Sequence, residues 1–240
     1  MAACGLRTSY LREDAVLLSM RGGGYGRVSC DFNLTRLPRS SINAEVVDRE
    51  TFDLIKRKHG TYASWAVWGE PTGGPKSGMG DMAVLDPDLN PTLLEMLRND
   101  VVMLGLNRSR SVQGMFLNFH PQYSEAQDYK IRYAFAGTPY YGAYMTDLIK
   151  ELFEVKSGNL MRQLAENPSL VTKNIQWLLE ELDDLGSTAP TVIAFGGDTY
   201  ALAAKHFPPD RYSRLVRVTH YSHYIAKEEY RHRVLAQLAA

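Results

Sequence analysis

The sequence has little cysteine. Cys4 and Cys30 are its only two, too few for a disulfide framework and unable by themselves to ligate an iron–sulfur cluster. It also lacks an excess of charge of either sign. Twenty-seven Lys and Arg balance twenty-seven Asp and Glu, so no global field announces a nucleic-acid or membrane-surface protein, and a charged partner must be met by a local patch. There is no long apolar run, no signal peptide, no internal repeat and no low-complexity tract. These absences imply a cytoplasmic protein with no membrane partner, which we take to be a monomer. No cofactor or metal is expected: His220 and His223 have no carboxylate or Cys at ligand spacing to complete a site.

What is present is a chain of 240 residues with 45% hydrophobic content. That fits one globular α/β domain with an N-terminal extension. The organising stretch is Val101-Val102-Met103-Leu104-Gly105-Leu106-Asn107-Arg108-Ser109. Four consecutive apolar residues, two of them β-branched, predict a strand buried on both faces, with Gly105 marking where the chain leaves the sheet. Asn107, just beyond the apolar run, then stands at the carboxyl end of the strand, where open parallel sheets bind ligands. The alternative is that Asn107 tolerates a left-handed turn position.

Around that strand the pattern alternates. Ala44 to His59 predicts an amphipathic helix closed by Gly60, and Tyr62 to Trp68 an alternating segment whose two tryptophans belong in a core. The loop Gly69 to Asp81 carries five glycines and two prolines. Asn90 to Arg98 predicts a short helix started by Pro91, and Ser109 to Asp128 an irregular aromatic stretch. Strands follow at Gly142 to Ile149, Thr191 to Phe195 and Leu215 to Thr219. Helices are predicted over Leu160 to Glu166, Leu170 to Leu185, Thr199 to Phe207 and Lys227 to Leu238. The amides opening the Thr199 helix should lie beside the crevice. Together these give a three-layer α/β/α domain over residues 86–240 with a central four-stranded parallel sheet, and an extension over residues 1–85 packed on it. The glycines of Arg21 to Gly26 read as a flexible loop, because neither a strong strand nor a clear helix flanks them.

Three of the four strands end in a polar group: Asn107, Asp147 and His220. In this order the pattern resembles the uracil-DNA glycosylase superfamily over about Leu94 to Leu238. Gly105-Leu106-Asn107-Arg108-Ser109 is similar to the first motif of the mismatch-specific and single-strand-selective branches, which have Gly-x-Asn-Pro. Tyr144-Met145-Thr146-Asp147-Leu148-Ile149-Lys150 is similar to the strand that usually ends Thr-Asn. Pro190 to Ala203 resembles the third strand and its glycine turn, and His220-Tyr221-Ser222 the second motif, commonly His-Pro-Ser. The residues before about Asp86 have no counterpart.

The resemblance implies a DNA glycosylase-like hydrolase, acting on the N-glycosidic bond of a damaged or deaminated base in single- or double-stranded DNA. Such a reaction needs a held water on the sugar side and a donor aimed at the base oxygen that gains negative charge. Asn107 could position the water, although it cannot remove a proton, and a neutral His220 could donate to the base oxygen. Phe119, or alternatively Phe116, would stack on the flipped base, and Tyr224 would lie where the family inserts a wedge. Either aromatic could instead be core, and Tyr224 could pack on the last helix. Arg108, Ser109, Gly196, Gly197, Ser222 and Tyr224 are the expected nucleic-acid contacts.

The departures are Arg108 and Tyr221 in place of two prolines, and Asp147 where Asn reads uracil. An ionised Asp offers acceptors only and would repel the O4 oxygen of uracil, so weak uracil activity is expected. The alternative for Asp147 is a helix N-cap. Two other functions remain open: a non-catalytic module binding a nucleobase or nucleic acid, and an N-glycosidase acting on free nucleotides.

Overall fold

The computed structural model describes residues 47–71, 80–111, 113–121, 123 and 125–240. The readings at Cys4, Cys30, Arg21 to Gly26 and residues 44–46 of the first helix lie outside the described residues; that helix begins only at Arg49, where the Asp48 side chain accepts from the Thr51 N–H and caps it. Alternating burial is what builds the sheet. In β2 (Arg98–Asn107), Val102, Leu104 and Leu106 face one apolar cluster while Val101 and Met103 face the other, as the period of a strand requires. The first cluster is completed by α1 (Arg49–His59), α4 (Ser157–Glu166), α5 (Pro168–Asp184) and α6 (Gly197–His206). The second is completed by α3 (Tyr129–Phe135) and α7 (Lys227–Ala239). The result is three layers, helices on both sides of a sheet.

The sheet has five strands rather than the expected four. The additional strand, β1 (Ser64–Trp65), pairs antiparallel with β3 (Ala143–Ile149). The four expected strands are parallel neighbours: β3 beside β2, β2 beside β4 (Thr191–Phe195), and β4 beside β5 (Arg214–Val218). The alternating segment from Tyr62 to Trp68 contains this strand, but only Ser64 and Trp65 take strand geometry, because only they pair with β3. Both tryptophan rings are core, as their size demands: Trp65 is fully buried and Trp68 nearly so.

Other elements differ as well: α4 starts three residues early at Ser157, α6 two residues early at Gly197 and β5 one residue early at Arg214. The helix predicted over Asn90 to Arg98 shrinks to α2 (Leu93–Met96), because Leu97 is already extended and β2 starts at Arg98. The stretch after β2 contains α3, whose short apolar face is only two turns long. Gly105 does not leave the sheet; it lies inside β2 opposite Asp147. A Cβ there would meet Asp147 Oδ1 at 2.1 Å and Phe119 Cζ at 3.2 Å, so the glycine makes room for two side chains of the site rather than for a turn.

The chain runs from β2 to β3 on one side, then crosses to β4 on the other. That reversal opens a crevice outside the carboxyl ends of β2 and β4, the topological switch point where doubly wound sheets bind ligands. No described helix is long and apolar enough to cross a membrane.

Candidate functional site

A cleft of about 900 Å³ occupies that switch point. It is lined by Asn107, Arg108, Ser109, Phe119, Asp147, Gly196, Gly197, His220 and Ser222, nine of the eleven residues singled out from sequence. The amide after the first long strand and the imidazole after the last therefore meet across one cavity.

Asn107 is the last residue of β2, paired with Ile149, and not in a left-handed turn. Its Nδ2 donates to three backbone carbonyls: Arg108 at 3.0 Å, Leu152 at 3.1 Å and Glu154 at 2.9 Å. Three acceptors around one atom can be satisfied only by the amide nitrogen, so the orientation of the side chain is fixed and Oδ1 is left as the group that can accept.

His220 follows β5. The backbone N–H of Ser222 donates to its Nδ1 at 3.1 Å, and the Ser222 hydroxyl lies 2.7 Å from the same nitrogen. An Nδ1 that accepts from a backbone N–H puts the ring proton on Nε2. Burial pushes the imidazole down to about 4, so near neutral pH it is an uncharged donor. The ring is held flat between Tyr221, stacked at 4.3 Å and 24°, and Gly196, where a Cβ would come within 3.4 Å of the His220 side chain. Gly196 takes φ 91° and opens α6, whose first amides from Gly197 to Thr199 line the cleft.

Phe119 is buried and its ring tip lies against Gly105. Its backbone is left-handed, with φ 63°, a conformation that costs a bulky residue of order 1–3 kcal/mol and that the surroundings must enforce. They do so through residues 60–67. Phe116 N–H donates to Gly60 O at 2.6 Å, Asn118 Nδ2 to Tyr62 O at 2.7 Å, and Ser64 Oγ to Phe116 O at 2.8 Å. His120 completes the clamp, with Nε2 at 3.0 Å from Val67 O. Burial pushes the His120 imidazole down, opposed by the carbonyls of Asn118 and Val67 that face its nitrogens. The segment from α1 to Trp68 is thus the scaffold of this loop.

Asp147 belongs to β3, not to a helix N-cap; the next helix begins only at Ser157. Its Oδ2 accepts from Asn118 Nδ2 at 2.8 Å. Burial pushes its carboxyl up to about 6, against the Asn118 bond and the charges of Lys150 and Arg108. Behind it Lys150 Nζ donates to the Asp147 carbonyl at 2.7 Å and pairs with Glu181 at 2.8 Å, which in turn accepts from the Tyr144 hydroxyl. This buried network fixes the end of β3.

Three sequence readings need correction in place. Phe116 does not reach the cleft; it packs against Phe52 of α1 with ring centroids 5.4 Å apart, buried in the apolar cluster on that side of the sheet. Arg108 lines the cleft, but its guanidinium donates to Thr61 O at 2.7 Å and lies over Phe153 at 4.9 Å, which makes it a brace more than a free phosphate ligand. Tyr224 does not pack on α7, the alternative weighed for it, but is fully exposed, as a wedge residue would be. Among the described residues no group of three His, Cys, Asp or Glu side chains could hold a metal ion.

Among the cleft residues that escaped the sequence reading are Asn118 and Asp128. Both lie in the irregular aromatic stretch, where no periodicity distinguishes a site residue from a loop residue. Family models, curated proteins and solved structures give no match to this chain.

Proposed function

We propose that the cleft receives a nucleobase turned out of DNA and that the protein hydrolyses its N-glycosidic bond. The observation that carries this reading is the pairing, across one cavity, of an acceptor oxygen on Asn107 and an Nε2–H donor on a neutral His220. Departure of a base leaves an oxocarbenium-like sugar and puts negative charge on a base oxygen. Asn107 Oδ1 holds water on the sugar side, and His220 Nε2–H stabilises the departing base without giving up its proton. Phe119 offers the face on which the base stacks, and Asp147 reads its edge.

The ordered resemblance to the uracil-DNA glycosylase superfamily supports the same assignment, since its motif residues line one cleft. Because Asp147 titrates near 6, it is ionised at neutral pH and repels O4 of uracil. Uracil release is therefore expected to be weak near pH 7.5 and to rise as the pH falls through about 6 and the carboxyl becomes a donor. Asn107 can hold water but not deprotonate it, which favours, as a second reading, a non-catalytic module that only binds the base.

The test is incubation with oligonucleotides carrying uracil, hypoxanthine, xanthine or cytosine mismatches, followed by alkali to reveal abasic sites. Cleavage by the wild type that is lost in Asn107→Ala and His220→Ala supports the hydrolase. Binding without cleavage supports the module, and base release from mononucleotides alone supports an N-glycosidase on free nucleotides.

A further inference from the structure

The wall that meets the base edge contains a second carboxylate that the reading above does not use. Asp128 immediately precedes α3, yet its backbone is helical, φ −63° and ψ −23°, and its side chain makes no capping bond. The residue is 8% exposed and lines the cleft with Asn118, Phe119 and Asp147. An Asp in that position ordinarily turns its oxygens onto the helix amides; this one forgoes them. A buried carboxylate is costly unless donors meet it.

The charges around the pair are of unequal kinds. Burial pushes Asp147 up, the Asn118 amide, Lys150 and Arg108 oppose it, and Glu181 from α5 adds to it. Asp128 is met by its own backbone N–H, while the charge of Asp147 acts against it; burial pushes it up to about 7. Burial pushes up Tyr221, after β5, and Tyr230, in α7, and the Asp128 charge adds to it in both. Two buried carboxylates on one cleft, one met by the Asn118 amide and the other by its own backbone N–H, keep acceptor capacity for a ligand's donors.

Resting on the nucleobase reading, we propose that Asp128 and Asp147 together select a base whose edge carries two adjacent N–H donors, a ring N–H beside an exocyclic amino group, as in guanine and its derivatives alkylated at N7. Among the common bases the alternatives fail on chemistry. Uracil and thymine flank their ring N–H with two carbonyl oxygens, and adenine and cytosine place a ring acceptor beside the amino group. Either arrangement sets a lone pair against a carboxylate. The guanine edge continues from its two donors to the O6 oxygen, which suits the Nε2–H of His220. The same match explains why Asn does not stand at position 147: an amide there would turn a donor toward a donor.

The experiment is equilibrium binding of guanosine, inosine and uridine to the full chain, at about pH 8 and about pH 5, wild type against Asp128→Asn. Inosine lacks only the amino group of guanosine. A lost charge-assisted hydrogen bond corresponds to roughly tenfold or more in affinity, so guanosine should bind at least about tenfold more tightly than inosine or uridine at the higher pH. The preference should collapse at the lower pH, as both carboxylates take up protons, and Asp128→Asn should lose it at both. The guanosine–inosine comparison uses the wild type alone and does not depend on how the variant folds. Equal affinities, or no detectable binding of any of the three, overturn the proposal. Base release from oligonucleotides without a guanosine preference overturns it and leaves the hydrolase standing; a guanosine preference without base release does the reverse.

Discussion

Asn107 and His220 are held differently from Asp128 and Asp147, although all four line one cleft. In the first pair backbone contacts dictate orientation: three carbonyls turn the Asn107 amide, and the Ser222 N–H selects the His220 tautomer. Both groups stay uncharged across the physiological range. In the second pair burial dominates, and the carboxyls titrate at about 6 and about 7. The groups assigned to chemistry are therefore fixed, and those assigned to recognition change with pH. Preorganised dipoles stabilise a developing charge only when they need not reorient, whereas a base-reading edge is free to depend on its protonation.

The largest effects should come from disturbing the fixed pair. Asn107→Ala is expected to lower single-turnover base release at least about 100-fold, the scale of removing one positioned polar group. Asn107→Asp should be no better, and less stable as well, since a carboxylate would face three carbonyl oxygens; urea titration measures the second effect. His220→Phe should cost a similar factor. The His220 ring should add no inflection to the wild-type pH–rate profile between about pH 5 and 8, because it charges only as the pH falls through about 4. An inflection near pH 6.5 that survives Asp147→Asn but disappears in His220→Phe would break the contrast.

The titrating pair should show itself in stability. The folded-state value of Asp147, about 6, lies above the ordinary aspartate value of 3.8. The folded protein thus binds this proton more tightly than the unfolded chain does. Ionised Asp147 consequently costs stability above about pH 6, and the penalty fades as the pH falls from there toward 4. Asp147→Asn keeps an acceptor for Asn118 and should raise stability near pH 8 by about 1–3 kcal/mol, with little gain near pH 4. Denaturant midpoints at the two pH values give the sign. Gly105→Ala sharpens the comparison from the floor of the cleft: a methyl group overlapping Asp147 Oδ1 should destabilise by roughly 1–3 kcal/mol, and less when combined with Asp147→Ala.

Much of this was legible in the sequence because it depends on local pattern. The parallel strands over Val101 to Leu104, Ala143 to Ile149, Thr191 to Phe195 and Leu215 to Val218 have apolar runs that only a covered sheet explains. Three of them deliver their polar ends to one cavity because parallel strands share a direction. What stayed hidden depends on contacts distant in sequence. Ser64 and Trp65 become a strand only by pairing with β3, and the carbonyls of Gly60, Tyr62 and Val67 matter only because the loop from Phe116 to His120 folds back on them. Asp128 closes a stretch without periodicity in sequence; that its side chain forgoes α3 and the residue lines the cleft is a tertiary fact.

The most direct test follows the Asn107 side-chain amide and the His220 ring nitrogens of isotopically labelled protein by NMR. The titrant is a single-stranded oligonucleotide carrying one guanine, hypoxanthine or uracil among thymines. The expected result is a proton on Nε2 of His220 at neutral pH and shifts of both side chains on binding, strongest for guanine. Binding that leaves these two side chains unperturbed, or a His220 ring protonated on Nδ1, would contradict the assignment of the cleft.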